Sequence, residues 1–197
     1  MAEHSGFTLV ELMVVIAIVL VLLLVAVPAF TDLIDRARVR GAAGAAMSLL
    51  SEARGAGVFS SRDVRVVFQG SDPAWCIGAN GAVTASPLGT QAGAAPTCDC
   101  TTANSCTVLN GVAANAAGLQ TLQLSSADYN GVTMGTRPSD FFYDGRFGAL
   151  KDLATTPSVV FTSPKGKYQI QLTVAPLGQP SLCTPSGQPV IPGISSC

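Results

Sequence analysis

Residues 5–30 read SGFTLVELMVVIAIVLVLLLVAVPAF. Leu12–Phe30 is a run of 19 residues without a charge, and about 20 apolar residues in a helix cross the hydrocarbon core of a bilayer. One residue resists the reading as a plain anchor. Glu11 stands at the head of the run, and no basic side chain is closer in sequence than Arg36. A lone carboxylate there should be expelled from lipid or neutralised. A cleaved secretory signal would place basic residues first, then about 7–15 apolar residues and a small-residue cut site. This run is longer, and nothing basic precedes it. An ordinary anchor fits the length but leaves Glu11 unexplained. A third reading puts processing ahead of the run, so that the run survives in the mature chain.

The chain has 197 residues, enough for one domain with a modest core or a small domain plus an appendage. Charged residues make up 12% and apolar residues 48%, too apolar for a disordered chain. Net charge is −1. After residue 65 the basic residues are Arg137, Arg146, Lys151, Lys165 and Lys167, slightly outnumbered by acidic ones. Composition therefore lacks the electropositive footprint of a nucleic-acid binder. A looser basic stretch, Arg36, Arg38, Arg40, Arg54, Arg62 and Arg65, follows the apolar run.

Pro28 removes a backbone donor and clashes with the carbonyl of Leu24, so a kink is expected there unless the helix simply ends. The sequence beyond favours continuation. Leu33, Ile34, Ala37, Ala42, Ala45, Ala46, Leu49, Leu50 and Ala53 recur close to helical spacing. Gly41 and Gly44 weaken that stretch by ~1 kcal/mol each relative to alanine. The expectation is one long bent helix from about Thr8 to about Ala56, its first half in membrane or filament core and its second half laid on a globular domain.

After Gly57 the pattern changes to alternation. Asp63–Phe68, Ala74–Ile77, Leu119–Leu124, Val132–Met134, Phe141–Tyr143, Ser158–Thr162 and Lys167–Val174 read as strands. Turn-forming runs such as GANG, DYNG, YDGRFG and SPKG separate them. Short strands with tight turns imply antiparallel hairpins, and one helix packed on them gives an α+β class. Residues 78–118 are poor in strand signal and read as an inserted loop held by disulfides.

Six cysteines, Cys76, Cys98, Cys100, Cys106, Cys183 and Cys197, all follow the apolar run. An even count in a loop-rich, translocated domain reads as a disulfide set. A Cys98–Cys100 bridge would be strained. Cys183–Cys197, closing a loop with three prolines, is the favoured pair. Cys76 then joins Cys98 or Cys100, and Cys106 joins the other. Zinc would want closely paired ligands, usually C-x-x-C. Here the spacing is C-x-C and the one histidine is His4, so no metal and no other cofactor is expected.

The opening stretch resembles the N-terminus of type IV pilins and pseudopilins, with their class III signal peptides. A short polar leader ends in Gly6, then come Phe7, Thr8, Leu9, Glu11, a long apolar helix and Pro28. The leader MAEHSG lacks the Lys or Arg common in the family. The resemblance implies a leader over 1–6, cleavage by prepilin peptidase between Gly6 and Phe7, and N-methylation of Phe7. It implies a transmembrane or filament-core helix over 7–30, an amphipathic continuation over 31–57, and an antiparallel β head over 58–197. LLSEARGAGVFSSRDVRVVF, FFYDGRFGAL with SVVFTS, and LTVAPLGQPSLC are similar to the minor pilins related to the H-class pseudopilins of type II secretion.

By the same resemblance, Glu11 pairs with the amino terminus of Phe7 on an adjacent subunit. Other pilins, the peptidase and an inner-membrane assembly platform are the implied partners. The chain would sit in the inner membrane with a periplasmic head, then enter a pilus or pseudopilus. The implied role is a minor pilin that primes assembly at or near the filament tip. The alternatives are an H-class minor pseudopilin and a tip adhesin or DNA receptor. Some minor pilins of this group bind DNA through a GRxR-like turn; the matching turn here is Gly178-Gln179-Pro180-Ser181. Both arginines are absent, which argues against direct DNA binding because phosphate neutralisation dominates it. No catalytic residue is expected. His4 would leave with the leader, and Asp140 and Asp144, flanking Phe141–Tyr143, read as turn supports.

Overall fold

In the computed structural model of the chain the described residues are 8–82, 95–109 and 118–197, without the side chains of Val25, Val27, Pro28 and Ala29. The chain divides into two units, Met1–Asp35 and Arg36–Cys197. One helix, α1, runs Leu9–Ser60. It is helical through Pro28, so proline does not end it; the expected kink rests on a residue whose side chain lies outside the described residues.

In the first unit every described side chain from Thr8 to Leu24 is exposed. Among the described residues no helix is long and apolar enough to cross a membrane. The unbroken described apolar run is Leu12–Leu24, ~20 Å of helix at about 1.5 Å per residue, against ~30 Å of hydrocarbon. The expected span Leu12–Phe30 includes Val25, Val27, Pro28 and Ala29, outside the described side chains.

In the second unit the helix buries Val39, Ala42, Ala43, Ala46, Leu49, Leu50, Ala53 and Ala56. Steps of three and four put these on one stripe. The small alanines let a sheet approach closely. The helix ends at Ser60, beyond the expected Ala56. The Arg62 N–H bonds the Gly57 carbonyl at 3.0 Å and the Ser61 N–H the Val58 carbonyl at 3.2 Å, with Ser61 at φ 53°. This is the paired C-terminal closure that usually recruits glycine. Gly57 serves inside the helix instead. A Cβ there would lie 3.1 Å from both the Arg62 carbonyl oxygen and Val64 Cγ2, so glycine lets the chain fold back.

Among the described residues ten strands follow: β1 Val64–Ser71, β2 Ala74–Gly81, β3 Thr107–Leu109, β4 Leu119–Thr121, β5 Gln123–Ser125, β6 Thr133–Met134, β7 Phe141–Tyr143, β8 Ser158–Thr162, β9 Gln169–Val174 and β10 Pro180–Cys183. They form a sheet β5-β2-β1-β7, a sheet β10-β9-β8-β6 and the pair β3-β4. Every strand pair is antiparallel. The fold is therefore α+β, a helix packed on antiparallel sheets, as the alternation predicts. Trp75 on β2 ties the two larger sheets together. Its indole donates to the Val132 carbonyl at 2.8 Å and its ring meets Phe161 of β8 edge-on at 5.5 Å.

Two strand expectations are corrected. Leu119–Leu124 is two strands, because Leu122 changes partners. Its N–H bonds the Cys106 carbonyl at 3.1 Å while its carbonyl accepts from Ala79 at 3.0 Å, so β4 pairs with β3 and β5 with β2. The stretch 78–118 is not loop throughout. β2 runs on to Gly81 and β3 lies within it, both paired by backbone bonds that its polar, glycine-rich composition does not signal.

Candidate functional site

The first candidate is the start of α1. The Glu11 N–H donates to Thr8 Oγ1 at 3.3 Å, and the Leu12 N–H to the Thr8 carbonyl at 3.2 Å. Thr8 is thus an N-cap with Glu11 three residues on, the spacing of a capping box. Glu11 also sits in the first turn, where the helix dipole favours a negative charge. The sequence reading missed this local role, although T-x-x-E was legible. Gly6 and Phe7 lie outside the described residues. From Leu9 to Leu24 the helix is apolar on all sides, Glu11 excepted, and exposed. A helix hydrophobic all round is one that something else covers.

The second candidate is the outer face of β1 and β2. The disulfides are Cys76–Cys100, Cys98–Cys106 and Cys183–Cys197, and no cysteine is free. Cys76 takes one of the two partners left open. Val67, Cys76, Cys98, Cys100 and Cys106 form a small apolar cluster of their own. It covers the face of β1 and β2 turned away from the main core, which is why consecutive β1 residues are buried. Gly78 is where the segment lies down, since any Cβ there would overlap Cys106 Sγ. Gln69 clamps the crossing, donating to the Cys98 carbonyl at 3.0 Å and accepting from the Cys100 N–H at 2.8 Å. Gln123 Nε2 also donates to the Cys100 carbonyl. Asp99 accepts from the Thr101 hydroxyl at 2.6 Å, the Thr101 N–H at 2.9 Å and the Thr102 hydroxyl at 3.1 Å. These bonds hold its carboxyl below the usual carboxylate value.

The third candidate is an open groove of ≈ 820 Å³ beside β7 and β8, with Arg137, Asp140, Lys151 and Asp152 in its lining. Its charges are largely committed. Arg65 pairs with Asp140 at 2.7 Å, Arg137 lies 3.6 Å from Asp72, and Lys151 pairs with Asp63. Asp63 is fully buried and also accepts the Gly145 N–H at 3.1 Å. The sequence reading placed it merely at a strand start. Asp144 accepts from Arg146 and Phe147 at 2.9 and 3.0 Å, the turn-supporting geometry expected of it. Tyr143, beneath, has a buried hydroxyl without a hydrogen-bond partner. Burial pushes its pKa up, with Arg54 pulling partly the other way.

Gly178 and Gln179 lie in the β9–β10 turn, closed by the Gly178 N–H on the Ala175 carbonyl at 2.7 Å, while Pro180 and Ser181 already belong to β10. The neighbouring cation is Arg54, whose Nε is held by the Gly148 carbonyl at 2.8 Å. The five late cations do not share one patch. Arg137 and Lys151 line the groove, while Lys165 and Lys167 lie on the β8–β9 turn. Among the described residues no group of three His, Cys, Asp or Glu is placed to hold a metal ion.

Residues 1–27 match the prokaryotic N-terminal methylation motif. That segment is a prepilin-type signal of the kind carried by type IV pilins and pseudopilins. The motif implies processing by prepilin peptidase and assembly with other pilins. No solved structure matches the chain.

Proposed function

We infer that this chain is a minor pilin of a type IV pilus, a structural subunit that primes assembly at or near the filament tip. The observation that carries the reading is the methylation motif over residues 1–27, continuous with a helix whose exposed apolar surface goes all the way round. Before assembly that helix, completed through Phe30, anchors the chain in the inner membrane with the head in the periplasm. During assembly it exchanges lipid for neighbouring helices. Glu11 then meets the amino terminus that cleavage creates on Phe7 of an adjacent subunit. The assembly platform supplies the work, and the chain itself is not an enzyme. Three disulfides suit a head that functions in an oxidising compartment. An H-class pseudopilin of type II secretion shares every one of these features and is the second reading. A DNA-receptor role is disfavoured by the uncharged turn at Gly178–Ser181.

The test is mass spectrometry of the chain expressed with prepilin peptidase. The expected product begins at N-methylated Phe7. An intact Met1 under those conditions would overturn the reading.

A further inference from the structure

We propose that the end of the second unit where α1 enters it is a docking surface for anionic phospholipid headgroups. Several segments of that unit bring cations together. Arg36 Nε donates to the Tyr168 hydroxyl at 2.8 Å, and its guanidinium lies 4.9 Å from the ring centre. Lys167 Nζ lies 5.2 Å from the centre of the same ring, which is buried. Two cations therefore share one aromatic ring. Arg38 Nη1 donates to the Asn130 carbonyl at 3.4 Å. The next residue, Gly131, abuts Pro164, for a Cβ there would lie 3.0 Å from Pro164 Cβ. Pro164 opens the turn that carries Lys165 and Lys167, both exposed. The acids nearby in sequence are Asp32 and the buried Asp35 on the helix, and Asp128 before Asn130. Along these segments Arg36, Arg38, Lys165 and Lys167 outnumber those three acids, a positive balance that complements an anionic surface.

The position suits a bilayer surface. Arg36 follows Phe30, the last residue of the apolar run, by six positions. Six residues reach at most ~20 Å extended and ~9 Å as helix. If the run is anchored in a bilayer, the basic group cannot stand far from its headgroups. Topology supplies no other reason for it, because orientation rules place Lys and Arg on the cytoplasmic side and this group follows the run on the translocated side. Basic side chains attract anionic lipid within about a Debye length of the surface. The proposal rests on the anchoring stated above.

The chain contains three lysines, Lys151, Lys165 and Lys167. Lys151 is held by Asp63 and serves as an internal reference. The full chain is reconstituted into nanodiscs of phosphatidylcholine alone or mixed with phosphatidylglycerol, and lysine acetylation is followed by mass spectrometry. Lys165 and Lys167 should react about fivefold more slowly in the anionic bilayer at low salt. The difference should vanish at ~1 M salt, where the Debye length is about 3 Å, and shrink in Arg38→Gln. Lys151 should not change. Equal rates in both bilayers, with the chain resisting carbonate extraction, would overturn this inference and leave the anchoring intact. A chain washed out of both bilayers by carbonate would overturn both. Stronger protection by duplex DNA than by the anionic bilayer would reassign the surface to nucleic acid.

Discussion

Glu11 has an observed local role beside the pairing proposed for it. At the sequence level it is a carboxylate without a cation in reach. In the structure its N–H is capped by Thr8, and its place in the first turn of α1 is electrostatically favourable by ~0.3–1 kcal/mol. Local helix chemistry alone could therefore retain an acid here, and the two roles separate by substitution. Glu11→Gln keeps the N–H and the shape and removes the charge. It should leave helix content almost unchanged and sharply reduce incorporation into filaments, scored by immunoblot of sheared filaments. Thr8→Ala should cost about 1 kcal/mol of helix stability and leave incorporation largely intact. Normal incorporation of Glu11→Gln would show that the pairing is dispensable. Asp63 is the residue that pattern reading passed over. A buried carboxylate bridging Gly145 and Lys151 joins residues about 80 apart in sequence, and no local spacing announces such a partner.

Elements were more legible than residues. The strands Phe141–Tyr143 and Ser158–Thr162 follow from periodicity, because each buries one face against the core. The helix stripe holds for Ala42, Ala46, Leu49, Leu50 and Ala53, whereas Leu33 and Ala37 are exposed and Val39, Ala43 and Ala56 join it outside the expected set. Boundaries were less legible. Gly57 reads as a stop signal, yet the helix passes through it and closes with Ser61 in the left-handed region. That conformation costs an L-residue ~1 kcal/mol or more, partly offset by the greater freedom of glycine in the unfolded chain. Ser61→Gly should therefore stabilise the head by up to about 1 kcal/mol, read as a higher midpoint in urea. A lower midpoint would mean that the Ser61 side chain contributes a contact worth more than the strain. The division of Leu119–Thr121 from Gln123–Ser125 had no sequence signal, since both halves alternate alike and only their pairing partners differ.

At the scale of the molecule, the described residues of the head form two apolar centres. The larger joins α1 to both four-stranded sheets; the smaller is the cysteine cluster behind β1 and β2. Cys76–Cys100 and Cys98–Cys106 are thus packing as well as staples. Cys76–Cys100 closes a loop with a sequence separation of 24, for which the chain-entropy account gives ~3 kcal/mol. Cys76→Ser with Cys100→Ser should lose at least about that much in chemical denaturation, because hydroxyls would also replace sulfur in an apolar cluster. Cys183–Cys197 lies outside both centres, and the C-terminal segment it holds pairs through Thr184 with Ser195 and Cys197. Removing that bridge should release the segment to hydrogen exchange while β1 and β2 stay protected. A loss of protection across β1 and β2 would show that the tail supports the sheets.

What the sequence by itself determined is whatever depends on near neighbours. The methylation motif over residues 1–27 is a linear pattern, the helix stripe is a period, and the strands are alternations, so each is legible in order along the chain. Tertiary structure alone decided what depends on residues far apart. It selected Cys100 over Cys98 as the partner of Cys76, turned one alternating run into strands of two sheets, and buried Asp63 against Gly145 and Lys151. It also brought Arg36 and Lys167 to the ring of Tyr168 and Arg38 to the carbonyl of Asn130. The physical reason is the same in each case. A hydrogen bond, a disulfide or a shared ring is satisfied by position in space, and spacing along the chain does not encode that position.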